Sequence, residues 1–461
     1  MSEDATFDGF VEEESDSCES ETEDLARKTV CGIPPQDWTI ARLGELVRVV
    51  SGNSLTKEYQ DGNDNKHPVY KVSDMNAVGN QKYLSDTSNR LSKSDLGEIN
   101  HTLHPKGTII LPKVGAALLT NKRRILTKPS SFDNNVMGWV PDEINPEFLY
   151  YLSCMIDMEA FAQKGAVPSI NNGIAKSLKL PSPPLPEQRK IATVLYTVDT
   201  AIEKTETILR QKETIKKGVL YQLLQTGIGE NETTETKLGP KLIKFPISWE
   251  VRTLGDVSTK MRNGFVGTAT PHYSDEEDTI PYIQSFNVRE NRIANRDEMV
   301  NVEPDFHRDN PKTQLSVGDL LTVQSGHIGT SCVVPAEYDG SNCHALIITR
   351  FKKNRVNPYF VSQFLNSTIG SDLIKSITVG TTIDHLNVKE FKNMRLPLPL
   401  LCEQNKIVET MSDFDDGIEN ARQYLERLKR LKRGLMQDLL SGTVRTTDTN
   451  IEVPDEIMQY G

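Results

Sequence analysis

Residues 185–204, "LPEQRKIATVLYTVDTAIEK", are answered 216 positions later by "LCEQNKIVETMSDFDDGIEN" at 401–420. A long internal repeat constrains a fold more than any local pattern does, and this one extends well beyond the helix opening. "PPQDWTIARLGELV" (34–47) matches "FPISWEVRTLGDVS" (245–258), with Trp38 and Trp249, Leu43 and Leu254, and Gly44 and Gly255 all 211 apart. "KGTIILPKVGAALL" (106–119) matches "VGDLLTVQSGHIGT" (317–330) at the same offset, and "INPEFLYYLSC" (144–154) matches "VNPYFVSQFLN" (356–366) at 212. From Ile170-Asn171 against Leu386-Asn387 onward the offset is 216, so the second half carries a few loop insertions. The repeated unit is a whole domain followed by a long helix, too long for a solenoid of short units.

Each copy has two textures. Short β-branched and apolar runs such as "GTIILPKV", "HPVYKVS", "IPYIQSF" and "HALIITRF" alternate with Gly, Pro, Asn and Asp, which is strand-and-turn chemistry. Helices are expected at 146–163 and 358–376, over a curved or barrel-like sheet. After "LPSPPLP" and "LPLPL" the pattern becomes a heptad-like stripe. Its apolar positions are Ile191, Leu195, Val198, Ile202, Leu209, Ile215, Val219 and Leu223 in the first copy. In the second they are Ile407, Met411, Phe414, Ile418, Ala421, Leu425, Leu428, Leu431, Leu435 and Leu439. Each run makes a rod about 57 Å long. Proline fits the entry of such a helix, and Gly227 and Gly442 fit its close. One apolar stripe must be buried, and each helix is the other's natural partner. Antiparallel pairing would put the domains at opposite ends of one rod.

The fold class expected is therefore α+β: two tandem repeated α/β domains separated by two long helices that pair as an antiparallel coiled coil. The boundaries read as an acidic tail (1–31), a first domain (32–184), a central helix (185–226) and a linker (227–242). A second domain (243–400), a distal helix (401–442) and a tail (443–461) follow.

A net charge of −11 looks unsuited to nucleic acid until it is located. Residues 1–24 hold eleven Asp and Glu and no Lys or Arg; taking these from 64 acids leaves 53, equal to the 53 bases. Such an acidic block reads as a disordered tail. The remaining body is neutral, so DNA binding would rest on local basic faces. Six scattered cysteines without a C-x-x-C pair point to reduced thiols, with neither a disulfide frame nor a zinc site. No run approaches a membrane span, and the acidic start is unlike a signal peptide, so no membrane role and a cytoplasmic location are expected.

The tools of catalysis are missing from the sequence. There is no G-x-x-x-x-G-K-[ST] loop and no G-x-G-x-x-G turn. "NPEF" (145–148) and "NPYF" (357–360) lack the second proline of an adenine-methylation loop and suit helix starts instead. Pro141-Asp142 has no nearby acid-x-Lys pair such as a nuclease would need. Glu187 and Glu403 open long helices, where a carboxylate suits the dipole better than acid–base work.

The ordered words "P-x-x-W-x-x-x-x-L-G-[ED]-[LV]", the hydrophobic strand opened by G-[TD], "NP-x-[FY]" and "EQ-x-KI", each present twice, closely resemble the specificity (S) subunits of type I restriction–modification enzymes. Cys402, where the first copy has Pro186, and the acidic tail depart from that pattern. The resemblance implies a non-catalytic DNA reader with two target-recognition domains, each reading one half of a bipartite asymmetric double-stranded DNA site. It implies helices that set the spacer and dock two modification (methyltransferase) subunits, with restriction (motor-nuclease) subunits joining them. No cofactor is expected on this chain; S-adenosylmethionine, ATP and magnesium would act in the partners. The competing reading is a structural adapter whose paired domains bind proteins.

DNA readers use Lys, Arg, Gln, Asn, Ser, Thr and His. The candidates in the first domain are Lys71 and Ser73 in "HPVYKVS", Lys113, and the basic run Lys122, Arg123 and Arg124. In the second domain they are Gln284, Asn287 and Arg289 around "YIQSFNV", then Gln324, Ser325 and His327, and the loop residues Thr381, Thr382 and His385. The repeat places Lys113 opposite Gln324, different polar residues at one scaffold position, as two readers of different half-sites require. Trp38 and Trp249 each precede an "LG" word and are expected to pack as core.

Overall fold

The computed structural model describes residues 27–60, 66–163, 165, 167–229, 232–378 and 384–458. Most of the acidic tail, together with Thr381 and Thr382, lies outside them. Four helices organise the description: α1 (Pro146–Cys154), α2 (Leu185–Thr226), α3 (Pro358–Asn366) and α4 (Leu401–Ser441). Asn145 and Asn357 cap α1 and α3 by accepting from Phe148 N and Tyr359 N, each with proline in the first turn. Gly227 and Gly442 follow the long helices at φ 67° and 80°, left-handed positions that glycine takes without a Cβ clash. At Gly442 a Cβ would also lie 2.4 Å from Pro35 Cδ.

The chain forms two compact units, one of Met1–Thr205 with Tyr424–Gly461 and one of Glu206–Gln423. In the first, a five-stranded sheet runs in the order Val47–Ser51, Val136–Pro141, Ile109–Pro112, Arg124–Leu126, Tyr83–Leu84. Beside it, His67–Tyr70 pairs parallel with Ser131–Phe132 and antiparallel with Arg90–Leu91. Thr39–Arg42 pairs with Lys179–Ser182, so the domain's first strand closes on its last, immediately before α2. Trp38, Trp139, Phe148 and Tyr151 share one core with Ile191 and Leu195 of α2 and Leu439 and Leu440 of α4.

The second unit repeats the plan. Its four-stranded sheet orders Ser258–Asn263, Leu346–Phe351, Leu320–Val323, Ser331–Val333, and Glu250–Thr253 closes on Arg395–Leu398. Ile280–Ile283 pairs parallel with Asn342–Cys343. Trp249, Phe360 and Phe364 share a core with Leu220 and Leu224 of α2 and Ile407 and Met411 of α4.

Within each unit the long helices run antiparallel. In the first, Asp199 pairs with Lys432 at 2.5 Å; in the second, Lys216 pairs with Asp415 at 2.5 Å and Glu213 with Arg422 at 2.6 Å. The seam departs from its apolar reading at two positions. Ile215 and Leu431 are 54% and 50% exposed, while the neighbouring Lys216 and Lys432 turn inward to their carboxylates. Hydrophobicity alone therefore misplaced these two positions, while Ile418, Leu425 and Leu428 are buried as the stripe requires.

Two segments read as linker and tail are packed structure. Thr233–Leu238 and Lys241–Pro246 form a hairpin that buries Leu238 and Phe245. Residues 442–458 return to the first unit, where Asn145 Nδ2 donates to the Ile457 carbonyl at 3.0 Å. Lys190 Nζ there donates to the carbonyls of Thr446, Thr447 and Thr449.

Candidate nucleic-acid interface

The "EQ" word is a joint. Glu187 accepts from Trp38 Nε1 at 3.0 Å and from Arg445 Nε at 2.8 Å; Gln188 Oε1 accepts from Asn145 N at 2.9 Å while its Nε2 donates to the Pro183 carbonyl. The second copy repeats this, with Trp249 Nε1 donating to Glu403 at 3.1 Å and Asn357 N to Gln404 Oε1 at 2.8 Å. Burial pushes the Glu187 carboxyl up, but hydrogen bonds from Arg445, Trp38 and Thr446 outweigh it and hold the group below its usual range. A carboxylate so held stays ionised near neutrality and fastens the domain to its helix. Both tryptophans pack as core.

Each domain presents a second repeated geometry at the carboxyl ends of its parallel strands. In the first, Asp133 follows Ser131–Phe132, its N–H donates to the Tyr70 carbonyl at 3.0 Å, and it bridges in parallel to Asn53. In the second, His344 follows Asn342–Cys343, its N–H donates to the Ile283 carbonyl at 2.8 Å, and it bridges to Phe265. Gly52 and Gly264 precede the bridged residues, and a Cβ there would lie 2.1 Å from Asp133 O or 2.6 Å from Cys343 Sγ. That close approach pins Asn53 and Phe265 to the strand ends.

The next residues follow suit. Lys71 and Gln284 each open a short 3₁₀ turn, their N–H groups donating to Asp74 Oδ2 at 2.7 Å and Asn287 Oδ1 at 3.0 Å. Lys71 Nζ donates to Gln60 Oε1, and Gln284 Nε2 to Tyr273 Oη, both at 3.0 Å. At the same end, Ile170 N donates to Lys113 O at 2.9 Å and Leu386 N to Gln324 O at 3.0 Å. Five positions thus coincide: Asn53 with Phe265, Gln60 with Tyr273, Lys71 with Gln284, Lys113 with Gln324, and Asp133 with His344. The first-domain mouth adjoins one depression lined by Asn53, Arg48, Thr102 and His104, and another lined by Lys113, Ser51 and Asn171.

The other candidates are placed as follows. Arg123 is 2% exposed and donates to the Ile156 carbonyl at 2.9 Å, so it braces the core rather than offering a surface charge. Arg124 donates to the Met75 carbonyl and Lys122 to Asn76 Oδ1, stapling a strand to the turn that holds exposed Ser73. Asn287 is buried by its capping role, and Gln324 is 3% exposed with Nε2 donating to Asn263 Oδ1 and the Leu386 carbonyl. Arg289 and exposed His327 come together at 3.5 Å, near exposed Ser325. His385 is half-exposed. Asn53, Gln60, Asp133, Phe265, Tyr273 and His344 were missed in the sequence; their signal was the repeat offset of 211 to 213.

Comparison with known proteins agrees with the duplication. Residues 35–212 and 246–430 match the family model described as "Type I restriction modification DNA specificity domain". A Methanocaldococcus jannaschii chain named as the type I restriction enzyme MjaX specificity subunit is 25% identical over 451 residues, covering 92% of this chain and 97% of that one. The MjaVIII specificity subunit of the same organism is 22% identical over 427 residues, covering 90% and 95%. The crystal structure of an S subunit from M. genitalium superposes with a TM-score of 0.53 at 15% identity, over 87% of this chain and 96% of that chain.

Proposed function

Because this chain belongs to the type I restriction–modification DNA specificity family, we propose that each of its domains reads one half of a bipartite, asymmetric DNA site. The chain is a specificity subunit, a non-catalytic component of its system. In this reading α2 and α4 set the separation of the half-sites and dock two modification subunits, which restriction subunits join. S-adenosylmethionine, ATP and magnesium act in those partners, in the cytoplasm. Outward-facing Ile208, Ile215 and Tyr221 on α2, and Tyr424 and Leu431 on α4, are apolar side chains a docked partner would bury. No helix among the described residues is long and apolar enough to cross a membrane.

The observation that carries the reading is one scaffold built twice with dissimilar side chains at coinciding positions. A duplicated adapter binding one partner twice would keep those side chains alike; two half-sites of different sequence require them to differ. The test is selection from a random duplex DNA pool with the chain bound to its modification subunit. Enrichment of a two-part motif with a fixed gap is expected; failure to enrich any such motif would sink the reading and favour the protein-binding adapter.

A further inference from the structure

The two mouths differ in kind. Asn53, Lys71, Lys113 and Asp133 supply two ammonium groups and a carboxylate; burial pushes the Asp133 carboxyl up and the Lys113 ammonium down, and the charge of Lys71 on Asp133 and of Asp133 on Lys113 opposes those shifts. Phe265, Tyr273, Gln284 and His344 carry no fixed charge. Burial lowers the imidazole pKa of His344, and its Nδ1 lies 2.9 Å from Tyr282 Oη. The Phe265 ring packs edge-on against Phe306 at 4.9 Å and is half-exposed.

We propose that the first mouth reads a G·C pair and the second an A·T pair through the major groove, a refinement that rests on the DNA-reading function above. Guanine presents two acceptors there, O6 and N7, and cytosine a donor, N4. An ammonium group offers donors only and a carboxylate acceptors only. Lys71 or Lys113 with Asp133 therefore complements G·C and leaves a charge unmatched against A·T. Adenine presents a donor beside an acceptor, which an amide such as that of Gln284 matches, and thymine adds a methyl group for an apolar ring. Phe265 supplies that ring at the position where the first mouth has Asn53. Gln284 keeps Oε1 and one N–H of its amide for the base, while the other N–H is held by Tyr273.

The site's backbone is rigid enough to make this discrimination. Asn53 and Phe265 are fixed by strand bridges beside glycines that admit no Cβ, and Lys71 and Gln284 by capped turns. A base edge offered to either mouth meets groups already oriented.

The experiment repeats the random-duplex selection with the chain–modification subunit complex carrying Lys71→Gln with Lys113→Gln, and separately Phe265→Ala. The first should lower enrichment of one G·C pair in one half-site by about tenfold or more, leaving the other half unchanged. The second should relax one A·T pair in the opposite half only. Should the double variant unfold, Lys71→Gln alone carries the comparison, because that side chain is half-exposed. An unchanged motif with uniformly weaker, less salt-dependent binding would assign the lysines to phosphates and overturn the proposal. A change at an A·T pair of the first half would overturn it equally. A wild-type complex that selects no motif fails the DNA-reading function itself, so the two failures are distinguishable.

Discussion

Trp38 Nε1 donates to Glu187 Oε2 at 3.0 Å across 149 residues of sequence, and Trp249 repeats the bond to Glu403 across 154. Each bond ties the first turn of a domain to the first turn of the helix that leaves it. The two joints are not equally braced. Glu187 also holds Arg445, which reaches Asp37 with its remaining nitrogens, whereas among the described residues Glu403 adds the Ile228 N–H.

Glu187→Ala should destabilise the first unit by about 2–3 kcal/mol, because a buried indole N–H and part of a guanidinium lose their acceptor. Glu403→Ala should cost about 1–2 kcal/mol in the second. Chemical denaturation followed by fluorescence of the respective tryptophans measures both, and equal losses would contradict the asymmetry.

The same carboxylate sets a pH dependence. Its folded pKa lies below the ordinary value of 4.5, so the folded state binds the proton less tightly than the unfolded state. The contribution is present above pH 4.5 and disappears as pH falls through the folded pKa. Wild type and Glu187→Gln should therefore differ in stability at pH 7 and converge in acid below the folded pKa. A difference that stays constant through the acid range would refute the assignment.

Lys82 is 6% exposed, 2.8 Å from Glu147 and 2.7 Å from Tyr151 Oη, with Tyr83, Tyr150 and Tyr196 around it. Tyr151 in turn donates to Asp199 at 2.7 Å, and Lys432 pairs with the other oxygen of Asp199. Lys82→Met should cost about 3–5 kcal/mol by leaving Glu147 charged and unpaired. Adding Glu147→Gln should restore more than half of that loss. In the second unit the position of Tyr151 is taken by Gln363, which donates to Asp415 at 3.0 Å.

The corrected helix seam makes its own prediction. Ile215→Ser and Leu431→Ser should change stability by no more than about 0.5 kcal/mol, as exposed substitutions do. Leu195→Ala and Ile407→Ala, both 0% exposed, should each cost about 2–5 kcal/mol. Thermal melts of the four variants decide it.

Should α2 and α4 set the separation of half-sites, removing one heptad from each shortens the pair by about 10 Å. At about 3.4 Å per base pair the selected gap should contract by roughly three base pairs. An unchanged gap would remove the helices from that role.

What the sequence exposed was the part written in local chemistry. Prolines before the helices, glycines after them and Asn-Pro caps are signals a few residues long, and all are realised. What stayed hidden depends on distant partners. Gln188 is one letter of the EQ word in the sequence; its partner, the Asn145 N–H, is visible only in the fold. Arg123 reads as a basic surface until the Ile156 carbonyl is found behind it. Lys216 and Lys432 have no place in an apolar stripe, because the carboxylates that draw them inward sit on the other helix. The mouth residues fell between: invisible singly, yet recoverable by laying one copy over the other, since Asp133 gains meaning only beside His344.

The order in which these residues leave the ribosome has a consequence. The second unit is continuous in sequence, from Glu206 to Gln423, so the core around Trp249 and Phe360 is complete once that stretch is made. The first unit is begun earlier but must wait for Tyr424 onward, including Leu439, Lys432 and the segment ending at Ile457. Until then the core around Ile191 and Leu195 lacks the α4 side chains Leu439 and Leu440, and Glu187 lacks Arg445. The half synthesised first is therefore the half completed last, with a long interval of exposed apolar surface between.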